Sequence, residues 1–158
     1  MPLLIDHLHH HPQLTETVAR LIYDEFWADR DGYSVPDLVA HLRTTDDPQR
    51  VPLSLVALVD GEFAGTVNLI DNDDRKRTHL RPWLAAMVVV PPRRGEGIGT
   101  RLVQALLAEA ARLGFPAVYF GTDGPGFYSR LGAQLHEQVT DDFCIMRFEL
   151  PSPAAVPM

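Results

Sequence analysis

A glycine-rich turn carries the clearest chemical signal in this sequence of 158 residues. It reads Arg-Gly-Glu-Gly-Ile-Gly-Thr over residues 94–100, after the apolar run 83–90 and before residues 98–113, whose apolar side chains recur at helical spacing. A turn from a strand into a helix directs successive backbone N–H groups, and the positive end of the helix, towards one place. The turn therefore predicts a binding site for an anion the size of a phosphate.

Two common phosphate-binding motifs fit this turn poorly. A P-loop requires Lys followed by Ser or Thr after its last glycine, whereas Gly99 is followed by Thr100 and Arg101. A dinucleotide motif requires glycine at the sixth position counted from Gly95, and Thr100 stands there. Asp123 lies where a ribose-binding acid could follow, which keeps this alternative open. Against it, too little chain follows the turn for a doubly wound sheet.

The hydrophobic pattern predicts strands and helices around the turn. Strands are predicted at residues 3–5, 53–59, 63–70, 83–90, 117–120, 134–139 and 143–150, and helices at residues 12–27, 35–42, 98–113 and 126–131. The strand 83–90 is apolar on both faces, which is typical of a strand inside a parallel or mixed sheet. We therefore predict one α/β (α+β) domain over residues 1–150 and a proline-rich disordered tail at residues 151–158.

Composition and charge exclude several classes of protein. Apolar residues make up 46% of the chain and charged residues 22%, as in ordinary globular domains. The net charge of −7 argues against nucleic-acid binding and favours a cationic or neutral partner. No apolar run reaches the ~18 residues of a membrane span, and no signal-peptide pattern is present, so we expect a cytoplasmic protein without membrane association. The lone Cys144 is expected to be a buried structural thiol.

Four histidines close to the N-terminus could suggest a metal site: His7, His9, His10 and His11. Their contiguity gives no fixed tetrahedral geometry, and no second cluster of ligands accompanies them. We therefore expect no functional metal.

Two segments of the chain together resemble a known family. Residues 89–99, Val-Val-Pro-Pro-Arg-Arg-Gly-Glu-Gly-Ile-Gly, resemble the V-x-P-x-x-R-G-x-G-I-G motif of the GCN5-related N-acetyltransferases (GNAT). Residues 127–132, Phe-Tyr-Ser-Arg-Leu-Gly, resemble the second motif of that family, F-Y-x-x-L-G. The order of elements also matches over residues 3–150. The resemblance implies the GNAT fold, a mixed central sheet of about six to seven strands flanked by about four helices.

The same resemblance implies an acetyl-CoA-dependent enzyme. The backbone N–H groups of the turn would bind the pyrophosphate of acetyl-CoA, and the residues involved are Arg94, Gly95, Glu96, Gly97, Ile98, Gly99 and Thr100. Because Gly97 and Gly99 have no Cβ atom, the phosphates would have room to approach the backbone closely. The resemblance also implies that the fourth and fifth strands diverge, and that the pantetheine arm pairs with Met87, Val88 and Val89.

Tyr128 matches the tyrosine of this family that protonates the departing CoA thiolate. A tyrosine with a pKa of ~10 is a weaker acid than a thiol of ~8.5, so a hydrogen bond to the developing thiolate serves better than full proton transfer. The competing interpretation is that Tyr128 is a packing aromatic beside Phe127.

The sequence indicates less clearly which residues bind the acetyl acceptor and which one removes its proton. No carboxylate occurs in residues 79–90. His79 is therefore the candidate base, because an imidazole ordinarily changes charge near neutral pH. The alternative is that His79 is a solvated loop histidine. Glu25 and Trp27 are candidates for binding the acceptor, because the end of the first helix commonly lines the acceptor groove in this family.

These observations predict transfer of an acetyl group from acetyl-CoA to a primary amine of a small molecule or peptide, by direct attack in a ternary complex. The alternative is a non-catalytic acyl-CoA-binding or sensor module, which the missing carboxylate on the fourth strand motivates. A homodimer is an expectation from the family alone. Nothing in the sequence identifies the acceptor.

Overall fold

Strand β2 (Leu53–Val59) is buried along its whole length and separates two hydrophobic clusters. Leu55 and Ala57 belong to the cluster that helix α3 (Ile98–Arg112) covers, whereas Val56 packs with α1 (Thr15–Phe26) and α2 (Val35–Leu42). Because successive side chains of a strand point to opposite faces, this division places helices on both faces of the sheet.

The computed structural model describes residues 2–151 and contains one seven-stranded sheet in the order β1-β2-β3-β4-β5-β7-β6. The remaining elements are β1 (Leu3–His7), β3 (Glu62–Ile70), β4 (Trp83–Val89), β5 (Ala117–Thr122), α4 (Pro125–Ser129), β6 (Gln134–Gln138) and β7 (Cys144–Glu149). Among the strand pairs of the described residues, only β4–β5 is parallel. The predicted fold, a mixed sheet with four helices, is confirmed.

Strand β4 is irregular where it faces the site. Thr66 pairs with Val88 and Asn68 pairs with Ala85, so two residues of β4 oppose a single residue of β3. One of the two, Ala86, has a φ of 52°, a left-handed conformation that is uncommon outside glycine. Such a bulge redirects the backbone groups of the bulged strand, and bulges are frequent beside active sites.

Helix α3 lies against the sheet over a glycine of β3. A Cβ atom at Gly65 would lie 2.9 Å from the Val88 oxygen and 3.2 Å from Leu102, so a larger residue would push the helix or β4 outward. Along α3, Leu102 and Leu106 are fully buried against the sheet. This close packing fixes the N-terminus of α3 relative to β4.

Some element boundaries differ from the predicted ones for identifiable reasons. Strand β1 continues to His7 because its backbone pairs with the buried β2, even though Asp6 and His7 are polar. The first predicted helix is divided into a 3-10 turn at Pro12–Leu14 and the α-helix Thr15–Phe26. Helix α4 ends at Ser129, shortly before Gly132, which has a φ of +101°.

Cys144 is a free, buried thiol, as predicted. Apart from Pro151, the predicted tail at residues 151–158 lies outside the described residues. Across residues 2–151, no helix is both long and apolar enough to cross a membrane.

Candidate active site

The glycine-rich turn presents a row of unpaired backbone donors. Gly95 and Gly97 both have a φ of 83°, which turns the chain sharply into α3, and Gly97 is the N-cap of that helix. The first backbone hydrogen bond of the helix runs from Arg101 N–H to Gly97 O at 3.2 Å. Within residues 2–151, the N–H groups from Gly95 to Thr100 donate to no backbone or side-chain acceptor. These donors and the helix dipole fit an anion such as a pyrophosphate.

Gly99 is the point where the predicted site segments meet. A Cβ atom placed on it would lie 3.5 Å from the Met87 side chain of β4 and 3.5 Å from the Phe127 ring of α4. The start of α3, the middle of β4 and the short helix α4 are therefore neighbours in space. The structure brings together the two motifs that are about thirty residues apart in sequence.

Strands β4 and β5 diverge next to this point. They share one residue pair, Trp83 with Tyr119, supported by a hydrogen bond of 3.0 Å from Tyr119 N–H to Pro82 O. Beyond that pair, the edge of β4 that contains Met87 has no partner strand in the described part of the chain. The divergence of β4 and β5 that the resemblance implies is therefore present.

A cleft of about 1110 Å³ lies beside this gap, and Met87, Phe120 and Tyr128 are among the residues that line it. We refer to the part of the lining formed by the end of α1, the following loop and residues 70–74 as the rim. Acetyl-CoA placed along the turn and the gap would therefore direct its acetyl end into the cleft, where a second substrate has room.

Tyr128 lies in the cleft on the one-turn helix α4, half-buried between aromatic rings. Its ring centroid is 4.4 Å from that of Phe120 and 4.9 Å from that of Phe127. Burial raises the pKa of Tyr128 above its ordinary value, because the ionised form loses hydration. The hydroxyl therefore stays protonated at neutral pH and remains a hydrogen-bond donor.

His79 lies elsewhere. It is exposed in the connection before β4 and does not line the cleft. The imidazole that does line the cleft belongs to His41 of α2. Partial enclosure by the cleft lowers the pKa of His41, although the residue remains exposed to solvent, and this favours the neutral ring.

Glu25 and Trp27 both line the cleft. Glu25 also lies 3.4 Å from Arg94, whose Nε donates to Val89 O at 2.9 Å. Arg94 therefore links the glycine-rich turn to the end of α1. The pair is solvent-exposed, so its contribution to stability is small.

Four further residues of the cleft could not be identified from the sequence: Arg30, Tyr33, His41 and Phe143. They lie in α2, in the loop after α1, and beside β7, far from either motif. The position of the loop directly after α1 could have indicated Arg30 and Tyr33, whereas no sequence signal marks His41 or Phe143.

The histidine-rich segment forms a structural network beside β1. Asp6 accepts hydrogen bonds from His10 at 2.8 Å and from His11 at 2.9 Å, and His7 Nε2 lies 2.6 Å from Glu109 of α3. Burial by itself would raise the pKa of Asp6, but these hydrogen bonds lower it to about 2. In residues 2–151, no group of three or more His, Cys, Asp or Glu has the arrangement of a metal site.

Residues 19–133, which include the turn, the diverging strands and Tyr128, match the Acetyltransferase (GNAT) family. The chain belongs to this family. The prediction from the two sequence motifs is confirmed at this level.

Among curated proteins, this GNAT protein is similar to N-alpha-acetyltransferase 30 of Schizosaccharomyces pombe, with 34% identity over 84 residues. The match covers 50% of this chain and 55% of that protein, so the chain corresponds to about half the length of this relative.

Two solved structures resemble the GNAT protein over almost its entire length. One is an aminoglycoside 6'-N-acetyltransferase complexed with coenzyme A, with a TM-score of 0.73 and 21% identity over 95% of this chain and 99% of that one. The other is a putative acetyltransferase from Salmonella typhimurium with acetyl-CoA, with a TM-score of 0.74 and 18% identity over 97% and 96% of the two chains. At these identities the likeness shows the shared fold.

Proposed function

We propose that this protein transfers an acetyl group from acetyl-CoA to a primary amine of a small molecule or peptide, by direct attack in a ternary complex. The observation that carries the proposal is the convergence at Gly99. There the turn with its unpaired N–H groups lies next to Met87, on the open edge of β4, and next to Phe127 on the helix of Tyr128, and both Met87 and Tyr128 line one cleft. The CoA- and acetyl-CoA-bound relatives support the choice of donor.

In this proposal the turn from Arg94 to Thr100 holds the pyrophosphate, while the backbone of Met87, Val88 and Val89 holds the pantetheine arm. The amine lone pair attacks the thioester carbonyl carbon, and the carbon–sulfur bond then breaks. Tyr128 donates a hydrogen bond to the departing thiolate. Its raised pKa keeps the donor proton in place throughout the neutral range.

The attacking nitrogen must lose its proton. We propose that the neutral imidazole of His41 accepts it, directly or through water, because His41 lines the cleft and His79 does not. His41 therefore takes the place of His79, the residue that the sequence suggested as the base.

We expect His41→Gln to lower kcat/KM for an amine by about tenfold near neutral pH. This is less than the roughly 10²–10⁴-fold rate enhancement that is typical of a direct general base. His79→Gln, the matched control, should change it by less than about twofold. Because the pKa of His41 is lowered, its neutral form persists below the ordinary imidazole value of 6.5, and the acid limb that it contributes to the pH profile should lie below that value. Equal effects of the two substitutions would contradict the assignment.

The function itself is tested by measuring thiol release from acetyl-CoA in the presence of a panel of primary amines. We expect release that depends on both substrates, with an acetylated amine detected by mass spectrometry. Binding of acetyl-CoA without turnover of any amine would instead favour the alternative, a non-catalytic acyl-CoA-binding module. Failure to bind acetyl-CoA would contradict both.

A further inference from the structure

The loop after α1 places two aromatic rings on the wall of the cleft. The centroids of Trp27 and Tyr33 are 4.9 Å apart, and the rings are nearly perpendicular at 81°. A Cβ atom at Gly32 would lie 2.6 Å from the Trp27 ring, so the indole rests directly against the loop backbone. The aromatic wall is therefore held in position by the loop itself.

A cation already lies on this wall. The guanidinium carbon of Arg30 is 4.3 Å from the centre of the Trp27 ring, and its Nε donates to Phe26 O at 2.9 Å. Within residues 2–151, Arg30 forms no ion pair with a carboxylate. The face of an indole attracts any cation placed over it at this distance, including an ammonium.

Most of the carboxylates that line the rim already have partners. Three of them pair with arginines: Glu25 with Arg94 at 3.4 Å, Asp71 with Arg81 at 2.8 Å and Asp74 with Arg77 at 2.8 Å. Asp73 and Asp123 also line the cleft, and no described residue forms a hydrogen bond or an ion pair with either carboxylate. Of these two, Asp73 is the one on the rim.

Asp73 lies within electrostatic reach of Arg30. Enclosure by the cleft raises the pKa of Asp73 although water still reaches its side chain, and the positive charge of Arg30 acts in the opposite direction. The rim therefore contains an aromatic wall, an unpaired carboxylate and one arginine that no carboxylate holds.

We propose that Trp27, Tyr33 and Asp73 form a second cation site for a distal ammonium group of the acceptor, and that Arg30 occupies this site until the acceptor displaces it. This inference rests on the proposed acetyl transfer and narrows its substrate to a diamine or polyamine. One amine of such a molecule reacts beside Tyr128 while another stays protonated on the rim.

The kinetic test compares cadaverine with pentylamine, which has the same carbon chain and a single amine. We expect kcat/KM for the diamine to exceed that for the monoamine by about tenfold, the size expected for one cation–aromatic contact and one carboxylate. Arg30→Gln should increase this ratio several-fold, because it removes the competing cation. Asp73→Asn should bring the ratio close to one. Asp29→Asn, which removes the same charge from an exposed position outside the cleft, should leave the ratio unchanged.

A ratio near one in the unaltered protein, or a ratio that Asp73→Asn does not change, would overturn the proposal. Absence of turnover with either amine would count against the acetyl transfer and not against the cation site, which a binding measurement then decides. Calorimetry with a bis-quaternary alkyl diammonium, which cannot be acetylated, should show tighter binding than with the mono-quaternary compound, and Arg30→Gln should tighten it further. Equal binding of the two compounds would refute the site.

Discussion

Gly97→Val is expected to abolish measurable acetyl-CoA binding, a loss of at least about 100-fold or ~3 kcal/mol. Gly97 has a φ of 83° and caps α3, and no protein atom lies within 4 Å of where its Cβ would be. The added side chain therefore projects into open space beside the unpaired N–H groups, where we propose that the pyrophosphate lies. Left-handed backbone also costs a residue with a Cβ about 1–2 kcal/mol, so the turn itself is distorted. Isothermal titration with acetyl-CoA measures the loss.

Gly114→Val is the matched control for this substitution. Gly114 follows the other end of α3, has a φ of 88°, and has equally open surroundings. It should reproduce the loss of stability, measured by urea denaturation, without reducing acetyl-CoA affinity. Wild-type affinity in Gly97→Val, or an equal loss of affinity in both variants, would contradict a pyrophosphate site at the turn.

Tyr128→Phe should lower kcat by about 100-fold, the lower end of the range for a catalytic proton donor, with little change in the affinity for acetyl-CoA. The phenyl ring keeps the contacts with Phe120 and Phe127, so the variant removes the hydroxyl and little else. Steady-state kinetics with saturating acetyl-CoA and an amine from the panel measures the effect. The size of the decrease should grow with the basicity of the leaving thiolate.

Tyr119→Phe is the corresponding control, since Tyr119 packs beside Trp83 and His136 outside the cleft. It also removes one tyrosine hydroxyl, but at a position outside the cleft, and should leave kcat within about twofold of the wild-type value. If Tyr128→Phe retains full activity throughout the pH range, Tyr128 is a packing residue and the donor role is wrong.

The glycine-rich turn was predictable from sequence because its determinants are local. The turn requires glycine at Gly95 and Gly97, where φ is 83°, and a buried strand and an amphipathic helix flank it. Spacing and glycine content therefore carry the information directly. The fold followed for the same reason, since strands and helices with strong periodicity alternate around that turn.

The other residues of the cleft were less predictable, because only tertiary packing brings them together. His79 stands closer in sequence to β4 than His41 does, yet α2 packs with α1 over the sheet and carries His41 to the cleft. Closeness to β4 in the sequence therefore does not predict which histidine lines the cleft. In the same way, the contact of the Arg30 guanidinium with the Trp27 ring cannot be predicted from the sequence, because it depends on the conformation of the loop.

The single residue pair between β4 and β5 also bears on how the protein resists unfolding. In the part of the chain that the structure describes, strands β1–β4 and strands β5–β7 are two hydrogen-bonded ladders that share only this pair, so few backbone hydrogen bonds cross the gap. We expect amide hydrogen exchange to be fastest along this seam in the free protein. A donor lying in the gap would add its own backbone contacts, and at 100 times its Kd it stabilises the fold by about 2.7 kcal/mol. For this protein, the pantetheine arm would serve as the eighth strand that completes the sheet.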